Sequence, residues 1–240
     1  MPIPILSPDD DITAFPPVDK ALVEPNGLLM AGGSLSPQRL IAAYRSGIFP
    51  WYEEGEPILW WSPDPRCIIW PDNIIIRRSL AKTIRRGHFE VTRNIAFKEV
   101  MRRCAVLRPG STGTWITDSM INAYSKLHLY GVAQSLEVWL DDRLVGGLYG
   151  ISLGGVFVGE SMFSTENDAS KVALVNLAQS GDYQLIDCQL ETPHLLSMGA
   201  ETVTRNEYLL LLEKYGDLSS AVFSPERLQL GTGNQSLPDL

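Results

Sequence analysis

Asp187 and Gln189 sit two residues apart in an apolar run over residues 183–190, and this spacing is the first sign of chemistry in the chain. The run predicts a buried strand. Side chains alternate along a strand, so the carboxylate and the amide are expected on one face and Cys188 on the other. An unpaired polar group in a core costs about 1–3 kcal/mol. Such a pair therefore either bonds to neighbouring backbone or acts on something. Glu160 adds a carboxylate in the apolar run 156–163, on the side of Val158 and Met162. It reads either as a paired strand carboxylate or as a group that holds a cation. Gly159-Glu160-Ser161-Met162-Phe163 lacks the second glycine of a nucleophile turn. With Cys188 facing away from Asp187, a covalent acyl-enzyme is not expected.

Composition bounds the setting. A chain of 240 residues, 45% hydrophobic, can build one large domain or a small one joined to a larger one. Cys67, Cys104 and Cys188 are isolated and odd in number, which argues against a disulfide framework and for a reducing cytoplasm. His88, His128 and His194 are too scattered for a metal motif, so no metal is expected. No secretory signal follows Met1-Pro2-Ile3-Pro4, and no apolar run is long enough to span a bilayer. The net charge of −8 alone argues against nucleic acid, and no DNA partner is expected. The charge is unevenly distributed, however. Ten of the 20 Lys and Arg lie between Arg77 and Arg108, opposed only by Glu90 and Glu99. Solvated helix faces ordinarily mix signs. A run this one-sided suits a polyanion.

The elements that must position these groups follow from periodicity and punctuation. Residues 1–26 read as an extended arm rich in Pro and Asp. Ser36-Pro37 opens a helix that Gly47 closes. The aromatic and Pro-rich stretch 48–66 reads as a rigid ordered loop and marks a boundary, with a small domain over 1–65 and a larger one over 66–240. A strand over 66–70 and a basic helix over 78–87 come next. Phe97, Val100, Met101 and Cys104 lie on one helical face, and Thr117 caps a further helix that ends at Gly131. Strands over 135–140, 143–152 and 155–163 form an antiparallel meander. A helix over 169–178, the strand over 184–190 and a Leu-rich helix behind the Thr204-Glu207 capping box complete an α+β pattern. The tail after Pro225 reads as loosely held.

Six motifs then occur in order: Glu24-Pro25-Asn26-Gly27-Leu28-Leu29, Gly47-Ile48-Phe49-Pro50-Trp51, Trp60-Trp61-Ser62-Pro63-Asp64-Pro65-Arg66, Gly113-Thr114-Trp115-Ile116-Thr117, Gly159-Glu160-Ser161-Met162-Phe163-Ser164 and Ile186-Asp187-Cys188-Gln189. With them the chain resembles the leucyl/phenylalanyl-tRNA–protein transferase family over about residues 15–215. The resemblance implies a small N-terminal domain and a larger domain like the Gcn5-related N-acetyltransferases, with a mixed, largely antiparallel sheet flanked by helices. It implies transfer of Leu or Phe, with Met as a further candidate, from aminoacyl-tRNA to proteins that begin with Arg or Lys. Such transfer marks those proteins for degradation.

The same resemblance assigns residues. Asp187 would polarise Gln189, which orients or deprotonates the incoming amine, and Glu160 would hold the acceptor or the adenosine. Trp51, Trp115, Tyr124 and Ser161 would bind the aminoacyl-adenosine, the two tryptophans by stacking on the base. Leu148, Phe157, Leu174, Leu177 and Ile186 would line the side-chain pocket. Arg78, Lys82, Arg85 and Arg86 would follow tRNA phosphates. No cofactor is implied. The segment between Lys171 and Asp187 is shorter than the family pattern, and residues 165–168 also depart from it. Two other readings remain open at this point. An acetyl-coenzyme A–dependent N-acetyltransferase would share the fold, although its pyrophosphate loop is not found. A non-catalytic tRNA-binding module would explain the basic run but not Asp187, Gln189 and Glu160.

Overall fold

The computed structural model describes residues 3–106 and 116–216. Arg108, Trp115 and the tail after Pro225 lie outside the described residues.

Ile5–Leu6 (β1), Leu28–Gly32 (β2), helix α1 at Pro37–Arg45, Phe49–Pro50 (β3) and Leu59–Trp61 (β4) come first. The four strands make one sheet, in the order β1-β2-β4-β3. The arm and the ordered loop expected over 1–26 and 48–66 thus contribute three of its strands. Strands of two or three residues carry too few positions for alternation to show. Helix α1 starts as expected: Ser36 Oγ accepts from the Arg39 backbone N–H at 3.3 Å, with Pro37 at the first position. Gly47 follows its end at φ +72, where a Cβ would lie 2.9 Å from Leu209.

The second sheet starts at Arg66–Ile69 (β5). After it come α2 (Arg78–Arg86), β6 (Glu90–Arg93), α3 (Phe97–Ala105) and α4 (Asp118–Leu129). The meander follows as β7 (Ala133–Leu140), β8 (Arg143–Leu153) and β9 (Val156–Ser164). Then come α5 (Ala169–Ala178), β10 (Leu185–Gln189), α6 (Pro193–Ser197), β11 (Glu201–Val203) and α7 (Arg205–Tyr215). The sheet order is β11-β5-β10-β9-β8-β7-β6, and β9-β10 is its parallel pair. The architecture is α+β, with a mixed, largely antiparallel sheet between helices. Val100 and Met101 of α3 and Tyr124 of α4 pack on one face with Tyr149 and Val158. Leu80 of α2 and Leu174 of α5 pack on the other face with Leu148, Phe157 and Ile186. The first of these cores continues into the N-terminal sheet through Tyr44, Leu29 and Trp60, so the two sheets share buried surface.

Two irregularities shape the centre of the large sheet. Tyr149 pairs with Ser161 and Gly150 with Gly159, leaving Glu160 as an extra residue of β9. Asp187 pairs with Ile68 and Gln189 with Cys67, leaving Cys188 extra in β10. Gln189 takes φ +62 there. Bulges of this kind bend a strand and re-aim its side chains. The β9-β10 ladder reaches only Asp187↔Val158, after which β9 continues alone to Ser164.

Candidate active site

Where the parallel pair separates, the sheet opens into a cavity of about 710 Å³. Leu148, Phe157, Leu174, Leu177 and Ile186 all line it, as do Glu160, Ser161 and Cys188. The two faces of the sheet both contribute: α5 supplies Leu174 and Leu177, while α3 supplies Arg103 and Cys104. The volume suits one small ligand, and a mostly apolar wall with a few polar groups suits an apolar side chain attached to a polar centre. Cys188 belongs to this wall as well as to the packing of the α5 face.

Glu160 is buried at the polar end of the wall. Its Oε1 accepts from Tyr44 Oη at 2.7 Å and from Gln189 Nε2 at 2.8 Å. Its Oε2 accepts from Tyr124 Oη at 3.2 Å. The Tyr44 and Tyr124 hydroxyls also contact each other. Burial pushes the Glu160 carboxyl up to about 7, against the three hydrogen bonds that favour its charged form. Burial and the neighbouring Glu160 raise both tyrosines well above their ordinary value, so both remain donors.

Asp187 belongs to a separate, saturated cluster. Its Oδ1 accepts from Arg66 Nε at 2.8 Å and its Oδ2 from Arg66 Nη2 at 2.6 Å. Tyr208 Oη adds 2.7 Å to Oδ2, and the Gln189 backbone N–H adds 2.8 Å to Oδ1. Arg66 lies between the rings of Phe49 and Tyr208, 4.9 and 4.5 Å from their centroids, and donates to the Gly47 carbonyl at 3.3 Å. Burial is the largest single influence and works against the guanidinium's charge, but Asp187 and Tyr208 together outweigh it and raise its pKa. Asp187 thus reaches Gln189 through the backbone, not through the side-chain amide. Four donors fix the carboxylate, and the carboxylate fixes the bulge that turns the Gln189 amide toward Glu160.

The other expected residues fall in three places. Ser161 lines the cavity, whereas Tyr124 is fully buried behind it and reaches it only through its hydrogen bond to Glu160. Trp51 is exposed, its ring 5.5 Å from that of Trp61, and is not part of the cavity wall. Arg78, Lys82, Arg85 and Arg86 are exposed on α2, with no ion pair among the described residues. That helix is held down by Leu80 and by Thr83, whose hydroxyl donates to Asp168 at 3.2 Å. Sequence reasoning missed Arg66, Tyr208 and Tyr44. Arg66 opens a wholly buried strand, and that position was the available signal. Tyr208 and Tyr44 sit on ordinary amphipathic helices, where nothing distinguishes a donor from a core aromatic.

An apolar chamber ending at a buried carboxylate and a pinned amide, set on a mixed sheet, suits a ligand that carries an apolar side chain on a polar centre. The family model described as leucyl/phenylalanyl-tRNA protein transferase matches residues 68–213, and the model of that transferase's N-terminal domain matches residues 33–64. The leucyl/phenylalanyl-tRNA–protein transferase of Pseudomonas aeruginosa (strain LESB58) is 55% identical over 206 residues, 85% of this chain and 91% of that protein. That of Azoarcus sp. (strain BH72) is 57% identical over 208 residues, 85% and 88% of the two chains. The chain belongs to the leucyl/phenylalanyl-tRNA–protein transferase family. Two solved structures resemble it distantly. A GCN5-related N-acetyltransferase from Kribbella flavida has a TM-score of 0.36 at 9% identity, covering 68% of this chain and 59% of its own. L-PGS from Bacillus licheniformis has a TM-score of 0.37 at 10% identity, covering 61% and 48%.

Proposed function

We propose that the chain transfers Leu or Phe from aminoacyl-tRNA to the α-amino group of proteins with N-terminal Arg or Lys, marking them for degradation in the cytoplasm. The observation that carries this reading is the cavity: five apolar side chains on one wall, with Glu160 and the Gln189 network beside them. Residues 1–65 form the smaller domain and 66–240 the catalytic one.

The reaction is aminolysis of an ester that is already activated. Holding the two reactants together can supply roughly 7–11 kcal/mol. The apolar wall takes the donor's side chain, which sets the ester carbonyl at the polar end. Gln189 gives its amide N–H to Glu160, leaving its amide oxygen to accept from the incoming amine. An α-ammonium has a pKa of about 7.7–8.0, close to the value of about 7 for Glu160. Glu160 can therefore take the amine's proton with little uphill cost. Asp187, neutralised by Arg66, positions Gln189 and does not act as a base. Arg78, Lys82, Arg85 and Arg86 meet the phosphates of the acceptor stem, and Trp51 and Trp115 stack on the terminal adenine.

Incubation with a peptide that begins with Arg tests the reading, with Phe-tRNA or acetyl-coenzyme A as donor and mass as readout. A gain of one Phe residue from the tRNA supports it. A gain of an acetyl group, or no gain from either donor, removes it.

A further inference from the structure

Three buried tyrosines, Tyr44, Tyr124 and Tyr149, surround Glu160, and one of them is unused. Tyr44 and Tyr124 donate to the carboxylate. Tyr149 is fully buried, and no protein group accepts its hydroxyl proton. It sits on β8 opposite Ser161, beside the bulge that carries Glu160, and its ring meets that of Tyr124 edge to face at 6.0 Å. Phe97 packs against it from α3 in the same manner, also at 6.0 Å. The ring is thus held in place by packing and belongs to the cavity wall. A buried hydroxyl without an acceptor costs about 1–3 kcal/mol, and an orphan of this kind calls for an explanation. A phenylalanine would fill the same space without that cost.

We infer that Tyr149 is a further catalytic residue, a hydrogen-bond donor to the carbonyl oxygen of the bound aminoacyl ester. This inference rests on the function proposed above. In the step concerned, the acceptor's nitrogen forms a bond to the ester carbon, and the carbonyl electron pair moves onto oxygen. An ammonium acceptor first gives one proton to Glu160, which passes it to solvent; after attack the nitrogen's second proton goes through Glu160 to the ribose oxygen as the bond from the ester carbon to that oxygen breaks. Tyr149 neither gains nor loses a proton; it stabilises the charge on the carbonyl oxygen. Burial and the neighbouring Glu160 hold its pKa well above the ordinary value, so the hydroxyl stays a donor throughout. The other two tyrosines cannot serve here, because their protons are committed to Glu160.

The test compares wild type and Tyr149→Phe by steady-state transfer from Phe-tRNA to an Arg-initiated peptide, alongside thermal unfolding. Removing one donor of this kind lowers turnover by roughly 10²–10³-fold. The expected result is a kcat loss of roughly 10²–10³-fold, an unchanged KM for Phe-tRNA and a melting temperature equal to or above wild type. Full turnover in Tyr149→Phe overturns the inference. A loss confined to KM, or one accompanied by a lower melting temperature, also overturns it, since either outcome marks a packing role. A silent wild type removes the proposed function and this inference together. An active wild type with an equally active variant removes this inference alone.

Discussion

Replacing Glu160 by Gln removes an ionisable group that the fold holds under stress, and the consequence can be worked out. In the unfolded chain the Glu160 carboxyl titrates near 4.5, and in the folded chain near 7. Between these values the folded protein holds a proton that the unfolded chain has released. Raising the pH through this window therefore favours unfolding. The stability that Glu160 contributes is fully present below 4.5, declines across the window and is lost above about 7. At about 1.36 kcal/mol per pH unit, the decline amounts to about 3 kcal/mol. Gln keeps the size of the side chain and does not titrate. Urea unfolding of both proteins across the window isolates the effect, because other carboxylates cancel in the difference. Relative to Glu160→Gln, wild type should lose about 3 kcal/mol between the two ends of the window. Parallel stability curves would refute the assignment of a strained, buried carboxyl to Glu160. Turnover gives a companion profile: wild-type kcat should rise with pH through about 7, whereas the variant's should rise only with the acceptor amine, at about 7.7–8.0.

Three other outcomes are expected. Asp187→Asn leaves the Arg66 guanidinium buried without its counter-charge, and breaking a buried pair from one side costs about 3–5 kcal/mol, measurable by urea unfolding. Leu148→Trp fills the apolar wall and should exclude Phe before Leu in a competition between Phe-tRNA and Leu-tRNA; an unchanged product ratio in the folded variant would place the pocket elsewhere. Neutralising Arg78, Lys82, Arg85 and Arg86 should weaken binding of different charged tRNAs about equally and flatten the salt dependence of affinity. Transfer from an aminoacyl-adenosine fragment, which has no stem, should stay near wild type.

Much of the large domain was legible because its elements are long and periodic. The helix at Ala169–Ala178 has the residue bounds expected from its apolar run, and the Thr204 capping box opens α7 as its spacing implies. The N-terminal sheet was not legible, since two-residue strands interrupted by Pro show no period. Strand β6 (Glu90–Arg93) is short and polar and was hidden for the same reason. At the site, Asp187, Gln189 and Glu160 stood out as polar groups in apolar runs. How they connect did not. Strict alternation placed Asp187 beside Gln189 side chain to side chain, whereas the bulge at Cys188 joins them through the backbone and sends the amide to Glu160. The partner of Asp187 lies 121 residues away in Arg66, and that of Glu160 lies 116 away in Tyr44. No local pattern encodes contacts of that range. The apolar wall was readable only through the family resemblance, because Leu148, Phe157 and Ile186 have the pattern of any sheet core.

The central claim is that the Gln189 amide, pinned by Glu160, orients the amine for attack on the aminoacyl ester. Single-turnover transfer by Gln189→Ala, run beside a titration of charged-tRNA binding, tests it most directly. The claim predicts a large fall in the transfer rate with tRNA affinity close to wild type. A wild-type transfer rate in the folded variant would contradict it.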